Sequence, residues 1–220
     1  LTRTLEAFRR YGVADEVLAK ALRVDEIGDV ERATNTARPS VQTALLGEDT
    51  RYPFVINMPQ HHLEPILSDA IDRRRPGALH LRHRLTSFRQ TGDGVVASFE
   101  TPDGNRDVEG SYLLACDGGR STVRAQLGVA VEGESSDVRC LLVDVKVDLD
   151  VANPRDYPYL AYFADPQEWM ILVRQPHCWR FLYPLAAGVP EPGADEFRDK
   201  VIRFIGPVDE MEILNTIVYR

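Results

Sequence analysis

The chain has 220 residues, enough for one large domain or two small ones with a real hydrophobic core. Its 44% hydrophobic and 27% charged residues are ordinary for a globular protein, and no apolar run approaches the length of a membrane span. The formal net charge of -8 argues against a nonspecific nucleic-acid or anionic-membrane binder, because phosphates demand a basic surface.

From Leu1 the pattern is helical, with Leu5, Phe8, Val17, Leu18 and Leu22 turned inward and a break at Gly12. Residues 23–57 mix turns with short β-like stretches at Val41 to Leu46 and Phe54 to Asn57. A second helix is expected from about His62 to Arg75, with Leu63, Ile66, Leu67, Ala70 and Ile71 on one stripe and Pro65 in the first turn. Arg73-Arg74-Arg75 ahead of Pro76-Gly77 fits a helix C-terminus better than a nucleic-acid patch, since cations suit the dipole there.

An antiparallel meander follows. Leu85 to Phe88, Val95 to Phe99 and Asp107 to Gly110 are strand candidates separated by the turn signals Gly92-Asp93-Gly94 and Pro102-Asp103-Gly104-Asn105. Tyr112 to Cys116 reads as a buried strand running into Asp117-Gly118-Gly119, and Ser121 to Leu127 as a short helix closed by Gly128. Beyond Gly128 the character changes. Leu141 to Val147, Leu160 to Phe163, Trp169 to Val173 and Trp179 to Leu185 are strands rich in branched and aromatic residues, and Asp195 to Ile205 is an amphipathic helix. The expected division is therefore 1–128 and 129–220, the second part being an antiparallel sheet with a helix. Ile213 to Tyr219 is strand-like up to Arg220 and Leu1 already lies in a helical pattern, so the chain is expected to be a stretch of a longer protein.

Cys116, Cys140 and Cys178 are widely spaced and odd in number, which suits neither a disulfide framework nor a zinc site and points to a reducing cytoplasm. His61, His62 and His177 read as loop or helix-start residues, so no metal is expected.

The chemistry concentrates in Cys116-Asp117-Gly118-Gly119-Arg120-Ser121-Thr122-Val123-Arg124. A strand end, two glycines and a helix start would present backbone N–H groups to an anion or a ribose-phosphate, with Asp117 accepting from a hydroxyl or an amide and Arg124 adding charge. Asp-Gly-Gly alone is equally a plain turn. The wider pattern, Cys-Asp-Gly-x-x-Ser-x-x-Arg after a meander, resembles the Asp-Gly fingerprint of the class A flavoprotein monooxygenases, the family of para-hydroxybenzoate hydroxylase and the phenol hydroxylases. Pro59-Gln60-His61-His62-Leu63-Glu64-Pro65-Ile66-Leu67 resembles that family's Gln-x-x-Leu-Glu-x-x-Leu helix start, and Thr4 to Val13 its Arg-Thr-Leu-Glu-x-x-Arg-x-x-Gly helix.

The resemblance implies a fold of mixed α+β and α/β class: part of a Rossmann-type FAD-binding unit with a β-meander, then an antiparallel substrate sheet. It implies FAD as cofactor and NAD(P)H as co-substrate, with Gln60, Asp117, Gly118, Ser121, Arg124 and Arg180 on the cofactor side. The family's Gly-x-Gly-x-x-Gly loop would precede Leu1 and its Gly-Asp motif would follow Arg220, so the chain keeps one cofactor motif of three. The helices at Leu5 and Leu63 should then expose apolar faces. In the strand at Trp179, alternation puts Phe181 and Tyr183 on one face and Arg180 and Leu182 on the other. The face of Phe181 and Tyr183, with Met170 and Leu172, is the expected wall of an aromatic pocket, the alternative being that these residues are core behind it.

The implied reaction inserts one atom of O2 into a phenolic or other aromatic ring through a flavin C4a-hydroperoxide, in a pocket that keeps water away. No residue of the chain is assigned a proton-transfer or nucleophilic role. Expected partners are the small aromatic substrate, O2 and, as one option, a second copy in a homodimer. A polyketide hydroxylase, an epoxidase or reductase of the same fold, and a non-catalytic binding module are the alternatives.

Overall fold

The computed structural model describes residues 1–34, 36–134, 138–149, 157–166, 168–186, 188–208 and 210–219. The chain divides into two units, one of Leu1–Ala70 with Ser136–Arg220 and one of Ile71–Ser135.

In the first unit, helices α1 (Thr2–Arg10) and α2 (Ala14–Lys20) flank the expected break at Gly12. Strands β1 (Leu22–Val24), β2 (Glu26–Glu31) and β3 (Thr36–Gln42) follow, then a 3-10 turn at Thr43–Leu46 and β4 (Val55–Asn57), which pairs with β1. Helix α3 (Gln60–Arg74) starts two residues earlier than the sequence suggests. Pro65 therefore sits in the second turn, where it has no N–H to donate to the carbonyl of His61. The apolar face of α1 expected to be exposed is covered, and that of α3 is covered in part, with Ile66 and Ala70 buried, Leu63 and Leu67 half-buried and Ile71 exposed. Leu5 is fully buried against Ala14, Tyr52 and Phe54, and Leu63 packs on the cluster of Val13, Val17, Ile66 and Ala70.

The rest of the unit is one seven-stranded sheet in the order β12-β8-β11-β10-β9-β2-β3, where β8 is Arg139–Lys146, β9 Leu160–Ala164, β10 Met170–Arg174, β11 Trp179–Leu185 and β12 Glu212–Tyr219. All neighbours are antiparallel except β2 and β9. This pairing recruits two strands from before the meander, so the large sheet is not confined to residues beyond Gly128. Strict alternation governs β11: Trp179, Phe181, Tyr183 and Leu185 are buried, and Arg180, Leu182 and Pro184 half-buried. The buried face packs under helix α5 (Ala194–Ile205), whose Phe197, Val201, Phe204 and Ile205 fill the core with Leu141, Val143, Val145, Phe163, Met170 and Leu172. Arg32 stacks on Phe204 and Lys200 lies over Tyr183, capping this core with cations over aromatic rings.

The second unit holds the meander as expected: β5 (Arg84–Gln90), β6 (Val95–Thr101) and β7 (Gly104–Gly110). Gly94 is required at its turn, because a Cβ there would lie 2.3 Å from the carbonyl oxygen of Gly110. The short helix α4 (Thr122–Gln126) docks on the meander through Gln126, which accepts from the Phe88 N–H and donates to the Thr86 carbonyl. The buried strand expected over Tyr112 to Cys116 is not formed. Tyr112 and Leu114 are 89% and 87% exposed, and none of the described strands pairs with this segment, which leaves its backbone no ladder to join.

Candidate functional site

The residues expected at a cofactor fall in both units: Gln60 and Arg180 in the first, Asp117, Gly118, Ser121 and Arg124 in the second. In the second unit the loop before α4 is braced by its own side chains. Asp117 Oδ2 accepts from the N–H groups of Thr122 (2.8 Å) and Val123 (3.2 Å), and Ser121 Oγ accepts from the N–H of Arg124 at 3.0 Å. The Ser121 hydroxyl and these amides hold the Asp117 carboxyl below its ordinary range. Arg124 Nη2 donates to the Gly119 carbonyl at 2.6 Å, closing the loop from the other side. Gly118 has φ +77, a conformation that favours glycine, and a Cβ at either glycine would meet nothing within 4 Å.

This corrects one expectation. The amides of Thr122, Val123 and Arg124 are already taken by Asp117 and Ser121, so they are not available to a phosphate. What the loop offers outward is the open backbone of Gly118 and Gly119 and the exposed Arg120.

In the first unit Gln60 is exposed at the start of α3, its amide donating to Glu64 Oε1 at 2.7 Å. Nearby, His61, His62 and His177 gather at a recess of about 570 Å3 with Lys20, and the imidazole centroids lie 4.3 Å (His61–His62) and 6.3 Å (His62–His177) apart. Among the described residues no group of three or more His, Cys, Asp or Glu is placed to hold a metal ion.

Arg180 projects from the sheet face opposite α5. It pairs with Asp144 across β11 and β8, Nε to Oδ1 at 2.8 Å and Nη2 to Oδ2 at 3.0 Å. The ion pair, with the Asp144 hydrogen bonds leading, raises the Arg180 pKa further. Asp144 was not among the expected site residues. The signal was present, since a lone acid within Leu141-Leu142-Val143-Asp144-Val145 requires a partner if the strand is buried. Asn57 was also missed; it donates to the carbonyls of Tyr159 (3.1 Å) and Arg174 (2.8 Å), tying β4 to the large sheet.

Met170, Leu172, Phe181 and Tyr183, expected to wall a pocket, are all fully buried in the core under α5. The reason is parity: they share the helix-covered face, and the open face carries the other set of each strand. Two rows cross that open face in register. One runs Ile217, Leu142, Leu182, Ile171, Tyr162, and the next Asn215, Asp144, Arg180, Val173, Leu160. The first is apolar over five strands; the second has the ion pair at its centre.

The 12-dehydrotetracycline 5-monooxygenase/anhydrotetracycline 6-monooxygenase of Streptomyces rimosus is 31% identical over 144 residues, 66% of this chain and 27% of its own length. The 3-(3-hydroxy-phenyl)propionate/3-hydroxycinnamic acid hydroxylase of Mycolicibacterium smegmatis is 26% identical over 98% of this chain and 38% of its own. The chain thus spans well under half the length of these curated relatives. A flavin-dependent monooxygenase solved with FAD and substrate superposes with a TM-score of 0.86 at 24% identity, covering 99% of this chain and 41% of that one, so the fold is shared. The FAD binding domain family matches residues 1–207, nearly the whole chain including the braced Asp-Gly loop and six of the seven strands of the large sheet, and the chain belongs to that family.

Proposed function

We propose that the protein is an FAD-dependent monooxygenase that uses NAD(P)H and O2 to oxygenate an aromatic ring. The observation that carries this reading is the open sheet face: a five-strand apolar row beside a fixed ion pair, in a chain of the FAD binding domain family. FAD, when bound, supplies the electron transfer and the activation of oxygen. The residues of this chain fit a holding role. Gly118 and Gly119 leave room for close approach of a ligand to the backbone, Asp117, Ser121 and Arg124 keep that loop in shape, and Gln60 offers an exposed amide. No proton-transfer step is assigned to them.

On the substrate side we move the proposed wall from Met170, Leu172, Phe181 and Tyr183 to the opposite face, with the half-buried Ile171 and Leu182 against the ring and Arg180, expected on the cofactor side, presenting its unshared N–H groups there instead. The apolar row spans five strands, roughly 19 Å at the usual strand spacing, which suits a fused polycyclic ring as well as a single phenol. The relative named for tetracycline chemistry supports that second reading. Three free cysteines among the described residues agree with the reducing cytoplasm we propose as its compartment. The test is to load the protein with FAD and follow NAD(P)H oxidation with a panel of phenols and fused-ring phenols. Substrate-stimulated oxidation with a hydroxylated product supports the reading; oxidation that no aromatic stimulates refutes it.

A further inference from the structure

We infer that Asp144 determines substrate specificity: by pairing with Arg180 it removes the net charge from the middle of the open face, which is thereby set to take a neutral phenolic or fused aromatic ring in preference to one bearing a carboxylate. This rests on the proposed reading of that face as the ring site. The pair is held by the ladder itself, since Arg180 and Asp144 are directly opposite in register on adjacent strands, and both groups are largely shielded, with side-chain exposures of 24% and 12%.

Among the described residues of these strands, Lys146 faces Glu212 at one end and Arg38 faces Asp29 at the far edge in register, so the acids alternate with the cations away from the centre as well, although only Arg180 and Asp144 close an ion pair. A carboxylate laid on the half-buried Leu182 and Ile171 would lose its water and find the adjacent guanidinium already neutralised by Asp144, which is unfavourable. A neutral oxygen is served differently. Arg180 commits Nε and Nη2 to Asp144, and its remaining N–H groups can donate to a phenol hydroxyl or a ring carbonyl without any charge to neutralise.

The experiment compares 2-naphthol with 6-hydroxy-2-naphthoate, matched in ring and hydroxyl, on the FAD-loaded enzyme, by calorimetric binding and by product yield. The wild type should bind the naphthol at least about tenfold tighter, and Asp144→Asn, which frees the guanidinium charge, should move that ratio toward the carboxylate by about tenfold. Asn215→Lys provides a second variant at an exposed position opposite Asp144. It adds a cation without breaking the pair and should shift the ratio the same way even if Asp144→Asn does not fold. Equal or tighter wild-type binding of the carboxylate, a ratio that neither variant moves, or no binding of either ring would overturn the inference. Discrimination in binding with no oxygenated product would count against the monooxygenase reading alone, whereas product without discrimination would count against the role of Asp144 alone.

Discussion

Arg180 and Asp144 close a two-point ion pair across adjacent strands, at 2.8 Å and 3.0 Å, on the sheet face opposite the one that α5 packs against. Removing one partner strands the other in a shielded place. Arg180→Ala should therefore destabilise the unit by about 3 kcal/mol, the scale seen when one side of a buried pair is lost. Thermal unfolding checks this, and an unchanged melting temperature would mean that water screens the pair.

The two faces of β11 separate stability from coupling. Phe181 is fully buried, and Phe181→Ala should cost about 3–5 kcal/mol and lower the melting temperature with little effect on the ratio of product to peroxide in the molecules that stay folded. Leu182→Ala, on the open face, should do the reverse: a small loss of stability, but more hydrogen peroxide and less hydroxylated product. Peroxide yield measured beside melting temperature distinguishes the two, and the opposite pattern would return the pocket to the helix-covered side.

Tyr183 carries a buried hydroxyl for which no hydrogen-bond partner is found among the described residues, and burial raises its pKa far above that of a free phenol. Deleting a polar atom that lost its water without replacement relieves a penalty. Tyr183→Phe should leave stability unchanged or raise it by about 1 kcal/mol. A clear drop in melting temperature would show that the hydroxyl has a partner, such as an ordered water.

Asp117 braces the Gly118–Gly119 loop through two amides, and its carboxyl titrates below the ordinary value because the Ser121 hydroxyl and those amides favour the charged form. A depressed folded-state pKa means that the bracing is complete at neutral pH. It fades as pH falls below the ordinary carboxylate range and is lost once the group is protonated. Amide resonances of Thr122 and Val123 should follow that transition, with a midpoint below the ordinary Asp value; a midpoint at or above it would contradict the bracing. Asp117→Asn should speed exchange of both amides at neutral pH while the meander stays intact.

Much of this was legible in the sequence. Turn residues and period-two alternation placed the meander and five strands of the large sheet, and the Asp-Gly-Gly loop was marked as the turn that opens a helix, although none of the described strands leads into it. Alternation divides β11 into two sets but does not say which set a helix will cover; that depends on α5, whose apolar stripe meets Phe181 and Tyr183. Strands β2 and β3 escaped because Glu26-Ile27-Gly28-Asp29 and Arg38-Pro39-Ser40 are poor in β-forming residues and are held by pairing with a sequence-distant strand, β9. Tyr112 to Cys116 shows the converse: an apolar run reads as strand, yet a strand exists only where another edge accepts its hydrogen bonds.

The most direct test of the central claim is isotopic. FAD-loaded enzyme turning over a naphthol or fused-ring phenol with NAD(P)H under 18O2 should yield a product carrying one labelled oxygen on the ring, with NAD(P)H and product formed in near-equal amounts. Oxidation of NAD(P)H that gives only hydrogen peroxide with every ring tested, or product whose new oxygen comes from water, would contradict it.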